Sequence, residues 1–439
     1  MDKLLVENII NKEKSGDKLY SLIERLYPIC RSITGNGVRE TLSIISEIIP
    51  LDIVEVKSGE KALDWEIPLE WNIRDAFVAN EKGEKIIDFG KSNLHVLNYS
   101  VPIDKIVDLD ELKEHVFTLP ENPDWVPYRT SYHNKNWGFC MAHNKFQELT
   151  AGNYHVKVDA TLEPGYLTYG EYFIKGESDQ EVLISCHICH PSLCNDNLSG
   201  IAVAAYLAQI LAKSRNKYSY RFLFIPGTIG SITWLSRNED KLKNITHGLV
   251  LTLLGDNGKL NYKKSRRGDA EIDKIVGNAL KIKGSEYGII DFYPYGYDER
   301  QFCSPGYNLP VGRLSRTPHG EFPEYHTSAD NLEFVKKDKL ADSLEFLLGV
   351  VNTIEGNIKY LNLNPKGEPQ LGKRGLFKKV GGESNTKDFQ MALLWVLNLS
   401  DGDFSLLDIS IRSGLGFGII KKAAKALFEV DLLKVVIDE

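Results

Sequence analysis

With 439 residues, 42% of them hydrophobic and 26% charged, the chain is too long for one ordinary core and has the composition of a soluble protein of several domains. The net charge of −7 weighs against bulk nucleic-acid binding, and no apolar run is long enough to span a bilayer. The charged N-terminus lacks a signal-peptide core, and six cysteines are too few for a disulfide framework, so reduced thiols and a cytoplasmic location are expected.

In chain order, "GDKLYSLIERLYPI" and "GVRETLSIISEII" space apolar residues three and four apart and predict two helices. Arg31 lies in the Gly/Ser/Thr loop between them. Residues 59–165 carry many Trp, Tyr, Asn and Pro, with short alternating runs such as "WNIRDAFVAN" and "YHVKVDATLE" between turns. That texture predicts a small, mainly antiparallel β-rich domain.

From 166 to 358 strand and helix alternate. "EVLISC", "YRFLFIP", "HGLVLTLLG" and "NLPVGRLS" are the expected strands. "NLSGIAVAAYLAQILAKS", "IGSITWLSRNE", "DAEIDKIVGNALKIKG" and the closing "DNLEFVKKDKLADSLEFLLGVVNTI" are the expected helices. Such repetition predicts an α/β fold, a mostly parallel sheet between helices, with functional groups at the carboxyl ends of its strands. Residues 1–58 and 166–358 thus form one discontinuous domain, interrupted by the 59–165 insertion.

After a Gly/Pro/Lys linker (361–375), residues 375–439 show three short helices and a strand-like "KVVID", the order of a winged helix-turn-helix. The third helix carries Lys421, Lys422 and Lys425. From Lys373 onward, however, ten basic residues face nine acidic ones, so packing or homo-oligomer formation competes with reading nucleic acid. No membrane partner is expected.

The chemistry concentrates in "CHICHPSLCNDNLSG", 186–200. His187 follows a strand, and Asp196 lies in the loop before a helix. Both types are ligands for a hydrolytic metal, and one strand-to-helix loop can bring them to a single ion. Asp196 read by itself could also serve as a helix cap. A second motif, "EYHTSAD" (324–330), adds His326 and Glu324; Thr327 and Asp330 there have capping-box-like spacing. Cys186, Cys189 and Cys194 allow a structural zinc site, but no second cysteine cluster answers them. A thiol nucleophile activated by His187 or His190 is a further reading. The GxxG of "IPGTIGSITWL" lacks the lysine of a phosphate-binding loop.

Taken together, "HIC…CNDNLSG", "FLFIPGTIGS", "LVLTLLG" and "YHTSAD" resemble, in order and rough spacing, the signature segments of the co-catalytic zinc aminopeptidases. Closer still is the resemblance to bacterial aminopeptidase-like proteins with an inserted small domain and a C-terminal winged helix, which share "CRSITGNGVRETL", "CHPSL", "SRRG" and "FPEYHTSAD"-type segments.

The resemblance implies zinc held by His187, Asp196 and His326, with Asp196 as the bridging carboxylate of a two-metal site. It also implies departures. Gly227 stands at the general-base glutamate, Thr228 and Thr252 stand at two further ligands, and Cys189 stands at the aspartate that orients the first histidine. The expected activity is hydrolysis of an amide in a small peptide or peptide-like conjugate by metal-activated water. His190 and Glu324 are the candidates for proton transfer. Arg31, Arg266 and Arg267 are candidates for a substrate carboxylate. The competing expectation is a catalytically impaired ligand-binding or regulatory protein acting through its winged helix.

Overall fold

A computed structural model describes residues 12–376 and 386–436; the charged N-terminal stretch, the start of the tail and the end of "KVVID" lie outside the described residues. The described residues of Asn11–Gly268 and Gly288–Leu344 form one compact unit, and Asp269–Tyr287 with those of Glu345–Glu439 form another.

The first unit is built on eight strands: β1 (Asp52–Lys57), β2 (Tyr166–Ile174), β3 (Glu181–His187), β4 (Ser219–Ile225), β5 (Ile245–Leu251), β6 (Leu260–Lys263), β7 (Tyr287–Ile290) and β8 (Val311–Ser315). Their spatial order is β1-β2-β4-β3-β5-β8-β6-β7. The centre is parallel: β3 pairs with β4 and β5, and β5 with β8. The flanks are antiparallel, at β1–β2, β2–β4 and β8–β6. Every residue of β3, β4 and β8 is buried, as expected for strands covered on both faces. β6 and β7 leave no mark in the sequence, because their four-residue runs "LNYK" and "YGII" are too short to show a period.

β1 and β2 are neighbours in this sheet, and the insertion leaves from one and returns through the other. Within it, Lys85–Asp88, Glu70–Ala79, Asn153–Glu163 and Ile103–Asp108 form a four-stranded antiparallel sheet in that order. Arg39, on the helix Asn36–Ser46, clamps it with two 2.7 Å bonds to the Glu70 carboxylate.

The long closing helix begins at Lys337, later than its apolar pattern suggests. Before it, the Asn331 side chain accepts from the Glu333 and Phe334 N–H groups, a local turn that competes with helix.

In the second unit, Lys359–Asn362 lies between Asp401–Ser405 and Leu433–Val435 in an antiparallel sheet. The helices Thr386–Leu399, Leu406–Ser413 and Phe417–Phe428 complete a winged helix-turn-helix. Glu271–Lys283, expected with the large sheet, groups here, where Asn278 donates to Ser410 Oγ at 3.0 Å. On the third tail helix Lys421 is turned inward and donates to Asn352 Oδ1 at 3.2 Å, while Lys422 and Lys425 are exposed. Among the described residues, no helix is long and apolar enough to cross a membrane.

Candidate active site

β3 delivers His187 at its carboxyl end, wholly buried. The chain then runs through His190 into the turn Cys194–Ser199, ahead of the helix Gly200–Leu211. Asp330 pins this turn, its carboxylate accepting from the backbone N–H of Asn195 (2.6 Å) and of Asp196 (2.9 Å). Burial pushes Asp330 up to about 8 against the pull of those two donors. The aspartate expected as a helix cap at the second motif therefore fixes the ligand loop of the first. His326 arrives on the same segment as Asp330, with its backbone at φ +57.

Asp196 is the hub. Its Oδ1 lies 2.8 Å from His187 Nε2, and its Oδ2 lies 3.0 Å from His326 Nε2 and 3.8 Å from His190 Nε2. Burial raises the Asp196 carboxyl, but His190, His187 and His326 more than offset this and hold it well below the usual carboxylate range. Burial pushes His190 well below the usual imidazole range. The ligand atoms of His187, His190 and Asp196 all lie within 4.8 Å of one another. His190, expected as a proton carrier, thus stands inside the ligand cluster.

Three aromatic rings wall the cluster. Tyr128, from the insertion, has its ring centroid 5.3 Å from His190 and 5.1 Å from His326. Tyr325 stacks on His326 at 4.0 Å, and Tyr297 lies over His187 at 3.9 Å. Tyr297 also explains the glycine at 227: a Cβ there would sit 2.1 Å from Tyr297 Oη and 2.6 Å from Cζ. The adjoining Thr228 N–H is taken by Asp298 Oδ1 at 2.7 Å. Thr252 faces His319, with Oγ1 to Nε2 at 3.4 Å.

The three arginines expected at a substrate carboxylate are placed otherwise. Arg31 is fully buried; its Nε donates to His190 O and its Nη1 to Leu26 O, each at 2.7 Å. It braces the ligand loop from beneath rather than meeting solvent. Arg266 and Arg267 are exposed and bonded to Asn308 through Nη1 (3.0 Å) and Nε (2.9 Å). They follow β6, which runs antiparallel to β8, and so lie at the amino ends of the parallel strands. Five residues of β3 separate that level from His187, roughly 17 Å at about 3.3 Å per residue, beyond an arginine's reach.

Glu324 is half-buried two residues before His326, and its carbonyl caps Thr327. Cys186, Cys189 and Cys194 are free and buried, and burial pushes the Cys189 thiol up to about 12, which removes the thiolate a nucleophile needs. Tyr128, Tyr297, Tyr325 and His319 were not singled out from the sequence; "YGYDER" and "TPHGEF" carry no spacing that marks them.

Residues 20–357 match the family described as a domain of unknown function (DUF4910), and residues 358–435 match one described as winged helix-turn-helix. The chain is 59% identical over 428 residues, 98% of each chain, to a Clostridium acetobutylicum protein named as a candidate polysaccharide biosynthesis protein with an aminopeptidase-like domain. A crystal structure of a candidate peptidase from Clostridium acetobutylicum is similar with a TM-score of 0.94 at 58% identity, over 98% of this chain and 99% of that one. In fold alone, a zinc aminopeptidase from Bacillus subtilis is similar with a TM-score of 0.56 at 15% identity, over 77% of this chain and 95% of that one. A peptidase M28 precursor from Shewanella amazonensis gives 0.57 at 10%, over 81% and 97%. The large unit has the aminopeptidase fold anticipated from the motifs, and the tail is a winged helix.

Proposed function

The chain belongs to the family described as a domain of unknown function (DUF4910), and on that premise we propose, from its own residues, that it is a zinc-dependent hydrolase of aminopeptidase type. Its substrate is an amide in a small peptide or peptide-like conjugate. One observation carries the reading: His187, His190, Asp196 and His326, which span 140 positions of the sequence, converge on a single carboxylate at the carboxyl end of the central parallel strand. The donor set of imidazoles and one carboxylate fits zinc by chemistry, and the ligand atoms of His187, His190 and Asp196 cluster within 4.8 Å, with His326 Nε2 3.0 Å from the same carboxylate.

His187, Asp196 and His326 would hold the ion, three ligands that leave a position for water, with His190 standing beside them in the cluster. When bound, zinc supplies the Lewis acidity that makes water nucleophilic near neutral pH. The chain's residues do the rest. Asp330 fixes the Asp196 loop through two backbone N–H groups, and Arg31 fixes the carbonyl of His190. Tyr128, Tyr297 and Tyr325 pack their rings against His326 and His187 and hold the imidazoles in place, while His326 stays partly open to solvent. Glu324, half-buried beside His326, is the group left to carry a proton to the leaving amine.

Metal analysis of protein purified without added zinc tests this. Stoichiometric zinc is expected, lost in His187→Ala and His326→Ala. Metal-free wild type, or full zinc in both variants, would refute the reading.

A second reading has its own observation. Tyr297 occupies the space a side chain at 227 would need, at the position where the resemblance expects the general base. This favours a ligand-binding or regulatory protein, with its winged helix directed at nucleic acid or at a second copy. Zinc-dependent turnover in a screen of aminoacyl and acyl amides would exclude it.

A further inference from the structure

His319 completes the ring of imidazoles around the site, yet its surroundings set it apart. Its Nδ1 lies 3.1 Å from Arg313 Nη1. A guanidinium has five N–H donors and no acceptor, so the only bond available runs from Arg313 to the Nδ1 lone pair. The single imidazole proton must then sit on Nε2. Arg313 cannot turn away, because the buried Glu299 carboxylate lies 3.5 Å from Nη1 and is itself held by Lys263 Nζ at 2.9 Å. Gly296 makes room for this trio: a Cβ there would lie 2.1 Å from Glu299 Oε1 and 3.0 Å from Arg313 Nη1. Burial, reinforced by the Arg313 charge, holds His319 well below the usual imidazole range.

The ring itself packs against two of the tyrosines that wall the cluster, Tyr297 and Tyr325. Tyr297 is parallel to His319 within 7° at 5.3 Å, and also covers His187 at 3.9 Å. Among the described residues the hydrogen-bond partner of Nε2 is Thr252 Oγ1 at 3.4 Å, a long contact that leaves the proton weakly held by the protein itself. A nitrogen that carries a proton cannot also present a lone pair to a metal.

We propose that His319, fixed by Arg313 as the neutral Nε2–H tautomer, is a hydrogen-bond donor to the oxygen of the substrate carbonyl and is not a metal ligand. This rests on the hydrolase reading for the identity of the acceptor, but not for the tautomer. As negative charge builds on that oxygen, a donor already in place costs no reorganisation.

Three measurements decide it. In protein labelled with 15N in the imidazole rings, with His319→Gln used for assignment, long-range 1H–15N correlations should show His319 as the Nε2–H form at neutral pH. An Nδ1–H form or an imidazolium would overturn the proposal. Zinc affinity measured by chelator competition should fall less than about 3-fold in His319→Gln, whereas His187→Ala should lose about 100-fold or more. Loss of zinc in His319→Gln would overturn it. In turnover, His319→Ala should lower kcat by about 10²–10³ with KM nearly unchanged, and His319→Gln, which keeps an N–H donor, should recover part of that. A rise in KM alone would count against the role. Zinc-free wild-type protein would defeat the hydrolase reading and with it the carbonyl acceptor, while the spectrum would still decide the tautomer.

Discussion

Replacing Gly227 with alanine puts the packing around Tyr297 to a quantitative test. The new methyl would lie 2.1 Å from Oη, 2.6 Å from Cζ and 2.7 Å from Cε1 of a ring flanked by His187 and His319. No rotation of the ring clears all three contacts, so the backbone at 227 or the ring must shift. Overpacking of this kind costs about 1–3 kcal/mol, and the rigid neighbours place the expected value near the upper end. The control is Tyr297→Ala, which removes the obstructing atoms at a cost of its own of about 3–5 kcal/mol, the usual cost of emptying an aromatic site. In that background the alanine at 227 has open space, and its further cost should fall below about 0.5 kcal/mol. The double-mutant cycle should therefore show a coupling of about 2.5 kcal/mol. Urea unfolding followed by tryptophan fluorescence and far-UV dichroism measures all four proteins. Equal costs of Gly227→Ala in the two backgrounds, or no cost in the wild type, would refute the argument. The same geometry predicts that Gly227→Glu alone, which inserts the carboxylate expected from the family resemblance, produces no gain in hydrolysis.

Arg31→Met removes two 2.7 Å charge-assisted bonds and takes the donor from the His190 carbonyl, while Leu26 O keeps only the Ile29 N–H at 3.2 Å, so the urea midpoint should drop by the equivalent of about 3 kcal/mol; Arg31→Lys should not restore it, because a point charge cannot reproduce the fork. Glu70 is held at about 2, against an ordinary 4.5, foremost by its hydrogen bonds from Arg39. A depressed carboxyl stabilises above its unfolded value and loses that stability as pH falls from about 4.5 through about 2, with at most about 3 kcal/mol at stake. Glu70→Gln should flatten that acid limb in a pH series of melting curves, and an unchanged limb would show the clamp to be idle. Lys421→Ala should lower the stability of the winged-helix unit by about 1 kcal/mol without altering DNA retention, since the side chain is spent on Asn352; a weaker salt-dependent DNA affinity would contradict this.

His187, Asp196 and His326 were legible because a strand-to-helix loop and a helix-entry loop each leave a local pattern, and the order of patterns along the chain identifies the fold. Residues that meet only after the sheet closes leave no such trace. His319 lies in an unpatterned loop, and its partner Arg313 sits on β8 among apolar neighbours. Tyr297 was invisible for the same reason, although Gly227, the space it fills, drew attention. Arg31 shows the converse limit: a buried arginine that ties carbonyls together looks the same in sequence as one that greets a carboxylate. Arg266 and Arg267 required knowing that β6 runs backwards, which a four-residue strand does not announce.

The insertion touches the site through more than Tyr128. Tyr128 N donates to His326 O at 2.8 Å, and Val126 and Ser328 exchange bonds through Val126 N to Ser328 Oγ at 3.0 Å and Ser328 N to Val126 O at 2.8 Å. Two stretches of chain about 200 positions apart are thereby stitched backbone to backbone at the residue that offers Nε2 to Asp196. The insertion is consequently not a detachable accessory. A chimera that kept the aminopeptidase scaffold and exchanged residues 59–165 would have to carry the matching 326–328 loop with it, so natural or engineered variation in these two stretches must travel as a linked pair.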